Sequence, residues 1–169
     1  MKVFKEEQRF TQTWLIIVLS ISVLVPIGII LNEFTKEDAN MSPNEASLII
    51  FLMITCILPV FFFKLKTRID EKGIHYQFLP FHFSSRTILW VDISKVYVRT
   101  YDPIGEFGGW GLKGGFPFYK KNGKAINVSG NIGIQLVLKN EKKLLIGTQK
   151  KSDVERVLKT YINKTQNNV

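Results

Sequence analysis

The chain has 169 residues, a net charge of +9 at neutral pH and a single cysteine, Cys56. One cysteine excludes an intramolecular disulfide and any metal site built from several cysteines. Once two long apolar segments are set aside, roughly 100 residues remain, which is enough for one compact domain and too few for two.

The two apolar segments, residues 14–31 and 46–63, are each long enough to cross a membrane. At about 1.5 Å of rise per residue, a helix of about 18 residues spans about 27 Å, close to the thickness of the hydrocarbon core. Neither segment contains Asp, Glu, Lys, Arg or His, the groups that mark ion or proton pathways inside membranes. We therefore predict a transmembrane hairpin within residues 1–66 and argue against a transporter.

The charges beside these segments predict the orientation of the hairpin. Basic residues flank its outer ends, whereas the connector 32–45 holds one lysine against four acidic residues. Since Lys and Arg near the ends of spans favour the cytoplasmic side, we expect a multi-pass protein of the inner (cytoplasmic) membrane with both termini in the cytoplasm. A cleaved signal peptide is the alternative for the first segment, and it would leave the same tail in the cytoplasm.

From residue 67 onward the pattern changes to short alternating segments, which are typical of strands. The turn Glu71-Lys72-Gly73 predicts a hairpin over residues 67–78. Further strands are predicted at 84–89, 95–100, 124–128, 132–138 and 142–146. About seven short antiparallel strands favour a sandwich or a partly open barrel.

The last part of the chain has the pattern of an amphipathic helix. Ser152 and Glu155 have the spacing of a capping box. Apolar residues then recur at helical spacing on one face; they are Val154, Val157, Leu158, Tyr161 and Ile162. We predict a helix of about 11 residues, too short to be stable alone, that packs on the sheet. The domain would then span residues 67–163, followed by a polar tail, 164–169.

Several segments of the tail share a pattern with a known family; they are Ile88 to Val96, Gly108 to Leu112, Asn127 to Gly130, Ile134 to Leu136 and Leu144 to Gln149. Together they resemble a bacterial pleckstrin-homology-like domain. The resemblance implies two near-orthogonal sheets that form a partly open barrel, plugged at one end by the last helix. Such domains follow one or two transmembrane helices in small bacterial membrane proteins. The expected fold is therefore an α+β membrane protein: a two-helix hairpin, then this barrel, then the capping helix.

A glycine-rich loop within residues 105–119 carries the first set of candidate site residues. These are the candidate contacts to a partner or to the membrane: Phe107, Trp110, Phe116 and Phe118. The loop could also simply pack on the barrel. Gly109 to Gly114 matches the dinucleotide pattern G-x-G-x-x-G, but Gly115-Phe116-Pro117 does not continue into the helix that this motif needs. We therefore expect no bound cofactor.

A second set of candidates lies just after the second apolar segment. Lys64, Lys66 and Arg68 could contact anionic lipid, or could be the ordinary basic flank of a span. The remaining basic residues of the tail are scattered, which argues against nucleic acid as a partner. His75 and His82 are the only histidines, and no metal-ligand spacing accompanies them.

These observations favour a non-catalytic, membrane-tethered adaptor or interaction module. Its expected partners are membrane lipids together with another membrane protein or a second copy of the chain, and no small-molecule substrate is indicated. The alternatives are a membrane-bound enzyme with a site at the mouth of the barrel and a module that senses anionic lipid.

Overall fold

A computed structural model describes residues 2–36, 41–114 and 122–166, with side chains described as far as residue 162. The chain divides into two compact units. One is Phe10–Phe62, and the other combines Met1–Arg9 with Phe63–Val169. The second unit is therefore assembled from both sides of the first in the sequence.

The first unit consists of two helices, α1 (Thr13–Phe34) and α2 (Pro43–Ile57), with α2 continued by a 3-10 turn, Leu58–Phe62. The side chain of Ser42 and that of Glu45 form a capping box at the start of α2, as this sequence pattern predicts. Both helical segments are long and apolar enough to cross a membrane. Of the most apolar stretch of each, only 6% is buried, whereas a core helix of a soluble protein would be mostly covered.

The domain boundary differs from the one predicted, because the N-terminal residues belong to the β unit. Strand β1 (Phe4–Arg9) pairs antiparallel with β2 (Lys64–Ile69), and Arg9 lies opposite Lys64. Residues 4–9 are thus not part of the helical hairpin that we expected over 1–66. In the sequence, the helical hairpin lies between β1 and β2, which are neighbouring strands of one sheet.

The first sheet has the strand order β1-β2-β3-β4, with β3 at Gly73–Leu79 and β4 at Arg86–Leu89. Leu65, Thr67 and Ile69 face inward along β2 and alternate with exposed or half-exposed residues, as expected for a sheet with one covered face. A Cβ atom on Gly73 would lie 2.1 Å from the carbonyl oxygen of Ile88. The close pairing of β3 with β4 therefore requires glycine at this position.

The second sheet has five strands in the order β5-β8-β9-β7-β6. They are β5 (Ile93–Thr100), β6 (Gly111–Lys113), β7 (Lys124–Asn127), β8 (Ile132–Leu138) and β9 (Lys143–Gly147). β7 and β9 run parallel, and the other pairs are antiparallel. The described residues thus form nine strands in two sheets, without a closed barrel, where about seven antiparallel strands were predicted. The two additional strands are β1 and β6.

Two further helices complete this unit: α3 (Pro103–Phe107) and α4 (Lys151–Gln166). Val154, Leu158 and Tyr161 of α4 are buried, which confirms the predicted apolar face. The Tyr161 ring stacks on Trp90 with 5.5 Å between ring centroids. Because α4 begins at Lys151, Ser152 lies inside its first turn and is not its N-cap.

Candidate functional site

The glycine-rich loop is only partly accessible. Phe107 is 1% exposed and packs edge-on against Tyr101 with 5.9 Å between ring centroids, so it is a core residue and not the surface contact that we expected. Trp110 is half-buried, and its indole N–H donates to the carbonyl of Gly130 at 3.0 Å. Phe116 and Phe118 lie outside the described residues. Trp110 alone keeps its place as a described surface candidate.

Polar contacts fix the first part of this loop. Glu106 accepts two hydrogen bonds from the Arg99 guanidinium, at 3.0 and 2.6 Å. The hydrogen bonds from Arg99, together with its charge, hold the pKa of Glu106 below its ordinary value. Asn127, fully buried, donates to the Tyr101 hydroxyl at 2.8 Å and accepts from the Gly111 N–H at 2.9 Å. The segment that carries Trp110 is therefore held to the sheet at both ends.

The three basic candidates lie on one face of the first sheet. Lys64, Lys66 and Arg68 alternate with the buried residues of β2 and so point outward together. Lys5 and Arg9 are on the outward side of β1, opposite Arg68 and Lys64. These five residues form what we call the basic face. Sequence analysis missed Lys5 and Arg9 as members of it because β1 was not predicted.

Two carboxylates partly neutralise the basic face. Glu7 forms two ion pairs through Oε1, with Lys64 Nζ at 3.1 Å and with Arg9 Nη2 at 3.0 Å. Hydrogen bonds from these two cations lower the pKa of Glu7. Asp70 accepts from Arg68 at 2.9 Å. Lys5 and Lys66, in contrast, form no ion pair with any described residue, so their charges remain available for an external anion.

Asp70, His75 and Thr87 form a hydrogen-bonded row. His75 Nε2 is 2.9 Å from Asp70 Oδ1, and His75 Nδ1 is 2.8 Å from Thr87 Oγ1. An imidazole between a carboxylate and a hydroxyl is the arrangement by which a base activates a nucleophile. Burial alone would raise the pKa of Asp70, but the hydrogen bonds from His75 and from the Lys72 N–H, with the Arg68 charge, lower it.

The same row has a structural role. The Asp70 main-chain carbonyl accepts from the Trp90 indole at 2.8 Å, and its carboxylate accepts from the Lys72 N–H at 3.0 Å. His75 and Thr87 are opposite each other in the pairing of β3 with β4. These contacts fasten the turn between β2 and β3 to the rest of the sheet.

A loop that sequence analysis did not single out, Pro80 to Ser85, carries two exposed aromatic side chains. Phe83 is 89% exposed and Phe81 is 57% exposed. His82, between them, is buried at 6% exposure. The sequence Phe-His-Phe suggests that alternate side chains point to opposite sides, but it does not indicate which side faces the core.

Neither a family model nor a curated protein matches this chain. The geometry of the described residues therefore has to support the functional assignment. Among those residues, no group of three or more His, Cys, Asp or Glu side chains is placed to hold a metal ion.

A cleft of about 880 Å³ opens between the two sheets. Tyr76 and Ile88 line it from the first sheet, and Val137 and Leu144 line it from the second. Gly114 and Gly123 also border it, and residues 115–121 between them lie outside the described part of the chain. We assign no ligand to this cleft.

Proposed function

We propose that this protein is a non-catalytic, membrane-tethered interaction module. In this proposal a pleckstrin-homology-like domain is held at the cytoplasmic face of a bacterial membrane by its inserted hairpin. It presents a surface to another membrane protein or to a second copy of the chain. The observation that carries the proposal is the pairing of Arg9 with Lys64 on either side of the two apolar helices.

That pairing supports an even number of membrane crossings. The chain leaves the sheet after Arg9 and returns to it at Lys64, which lies beside Arg9. Both ends of the inserted segment must therefore be on the same side of the membrane, as two spanning helices would place them. The lysines and arginines next to these ends favour the cytoplasmic side.

The large exposed apolar area of α1 and α2 also supports the tether. Leu24, Leu31 and Phe51 are each more than half exposed. Contiguous apolar surface of this extent is unfavourable in water and marks a membrane or protein contact. Lipid covers both helices in our proposal.

The pleckstrin-homology-like assignment draws on the architecture of the β unit. A four-stranded antiparallel sheet, a second sheet and a C-terminal helix packed against it are the elements that the resemblance implies. The parallel pairing of β7 with β9 is an addition to that plan.

Cysteine accessibility tests the tether. In a Cys56→Ser background, Lys36→Cys in the connector should react with a membrane-impermeant maleimide in intact cells. Val3→Cys, which is exposed on the β unit, should react only after the membrane is permeabilised. Reaction of both positions in intact cells would contradict the proposed topology.

Photo-crosslinking tests the interaction role. A photoreactive amino acid in place of Trp110 should capture a defined partner in membranes, or a second copy of the chain. The same substitution at Tyr97, which is exposed on β5, is the control. Equal capture at both positions, or capture at neither, would remove Trp110 as a contact.

A test of activity addresses the non-catalytic assignment. If the purified protein catalyses a reaction and the substitution His75→Asn abolishes that activity, the assignment is wrong.

The basic face favours a second candidate function, contact with anionic lipid. Each Lys or Arg near an anionic membrane surface contributes about 1 kcal/mol. Lys5 and Lys66 form no ion pair with a described residue, although Glu7, which is paired with Lys64 and Arg9, lies opposite Lys66. In liposomes, a water-soluble amine reagent should modify Lys66 more slowly when the lipid is anionic than when it is neutral. High salt should remove the difference, and Lys139, exposed in the β8–β9 turn, should react equally in both. Equal rates for Lys66 would rule out this contact.

A further inference from the structure

The loop Pro80 to Ser85 begins at the edge of the sheet where both membrane connections leave it. Leu79, the last residue of β3, pairs with Lys64, and Lys64 pairs with Arg9. Helix α1 begins at Thr13, shortly after Arg9, and the 3-10 turn that continues α2 ends at Phe62, shortly before Lys64. The strand register therefore groups the start of this loop with both covalent connections to the hairpin.

The exposure of this loop is unusual for an aromatic segment. Phe83, at 89%, is the most exposed large apolar side chain among the described residues. Burying a phenylalanine side chain is favourable because it removes apolar surface from water. Phe81 adds a second, half-exposed ring beside it. An apolar phase next to the loop would take up both rings favourably.

Hydrogen bonds support the loop in the conformation that exposes Phe83. The His82 N–H donates to the Phe78 carbonyl at 2.8 Å, and the Phe78 N–H donates to His82 Nδ1 at 3.3 Å. The Gln77 side-chain amide donates to the carbonyls of His82 and Phe83 at 3.2 and 3.0 Å. Backbone polar groups satisfied within the protein are a requirement for any segment that enters a poorly hydrated layer.

Aromatic packing supports the base of the loop. The Phe81 ring stacks on Phe78 with 5.8 Å between centroids and lies 5.7 Å from the Phe63 ring. Phe63 is the last residue of the second apolar segment and belongs to the β unit. The Phe81 ring thus contacts both Phe63, at the end of the second apolar segment, and the buried Phe78, while Phe83 follows two residues later in the loop. Arg86, exposed at the end of the loop, suits the phosphate layer of a membrane.

We propose that Phe81 and Phe83 form an interfacial anchor, inserting into the headgroup region of the bilayer beside the spanning hairpin. This proposal rests on the proposed tether. Because the strand register places the loop with the two membrane connections, lipid is the occupant to which we commit. The anchor would restrict the orientation of the β domain at the membrane.

The test uses the full chain in liposomes, labelled at one cysteine at a time with an environment-sensitive fluorophore. Phe83→Cys in a Cys56→Ser background probes the anchor. Val91→Cys is the matched control, since Val91 is 53% exposed and follows the opposite end of β4 from the loop. The native Cys56, exposed on α2, serves as the lipid-embedded reference in the otherwise unchanged chain.

We expect the label at position 83 to emit further to the blue and several-fold more strongly than the label at 91. Lipids carrying a quencher near the headgroup should quench position 83 but not position 91. A label at 83 that behaves like the one at 91 overturns the anchor. A label at 83 that is blue-shifted yet not quenched by lipid places the loop against protein and also overturns it. If the label at Cys56 escapes lipid quenching, the tether itself fails.

Discussion

Arg9 and Lys64 are opposite each other across β1 and β2, and both apolar helices lie between them in the sequence. The β unit is thus discontinuous in sequence but continuous in space. A short linker between the two residues would connect β1 and β2 as an ordinary β-hairpin.

We predict that replacing residues 10–63 by the dipeptide Asn-Gly gives a folded domain that dissolves without detergent. Asn-Gly is the preferred dipeptide for the tight turn of a β-hairpin. A chain that begins at Lys64 should be less stable by about 3 kcal/mol or more, because it loses the buried Phe4 and the polar contacts of β1. Urea unfolding followed by the fluorescence of Trp90 and Trp110 measures the difference. Equal stability of the two chains would show that β1 is dispensable.

A second prediction concerns Glu6, which is buried on β1. Its carboxylate accepts from the Thr148 hydroxyl at 2.6 Å and from the Gln149 N–H at 2.8 Å. Glu6→Gln replaces one acceptor by an amide donor, so we expect a loss of about 1–3 kcal/mol in the free energy of unfolding. Glu7→Gln, at the neighbouring exposed position, should change the free energy of unfolding by less, because solvent screens the ion pairs of Glu7 with Lys64 and Arg9. Denaturation of the full chain in detergent distinguishes them, and similar losses would refute the contact.

The third prediction is a pH dependence at His82. Burial, and then the charge of Arg86, lower the pKa of His82, so the folded state holds the neutral ring. The contribution to stability is therefore complete above the unfolded value of about 6.5 and is lost as the pH falls from there towards the lowered folded value.

The variant His82→Asn isolates this effect. The amide oxygen of asparagine can accept the hydrogen bond from the Phe78 N–H, and it does not titrate. Between about pH 7.5 and about pH 5.5, the wild type should lose more stability than the variant. Denaturant midpoints of the full chain at the two pH values provide the measurement. Parallel losses in both proteins would assign the pH dependence to other groups.

A fourth prediction addresses the support of Trp110. Asn127→Ala leaves the buried Tyr101 hydroxyl and the Gly111 N–H without their partner, which should cost about 1–3 kcal/mol and loosen the segment that carries Trp110. Hydrogen exchange of the Gly111 amide should accelerate. Asn140→Ala, in the exposed β8–β9 turn, is the control. An unchanged exchange rate at Gly111 in Asn127→Ala would show that this hydrogen bond does not hold the loop.

The site illustrates how far the sequence alone could lead. The sequence singled out Lys64, Lys66 and Arg68 as the basic flank of the second apolar segment. Because the predicted strand began only at residue 67, their common outward face became evident only from β2 (Lys64–Ile69), where side chains point alternately to the two sides. The local sequence pattern could not show that Phe107 is buried in the core whereas Phe83 is exposed to solvent. That difference depends on the residues that tertiary structure brings to each ring.

The sequence by itself determined the two apolar helices, most of the strands and the buried face of α4, because apolar length and periodicity are local properties. Only the tertiary structure decided that β1 is a strand of the β unit. Its inward face carries Glu6 and Gln8, two residue types that are usually exposed. Their burial is offset by partners near the other end of the chain, at Thr148, Gln149 and the carbonyl of Gly147. Contacts between such distant segments leave no periodic signal in the sequence.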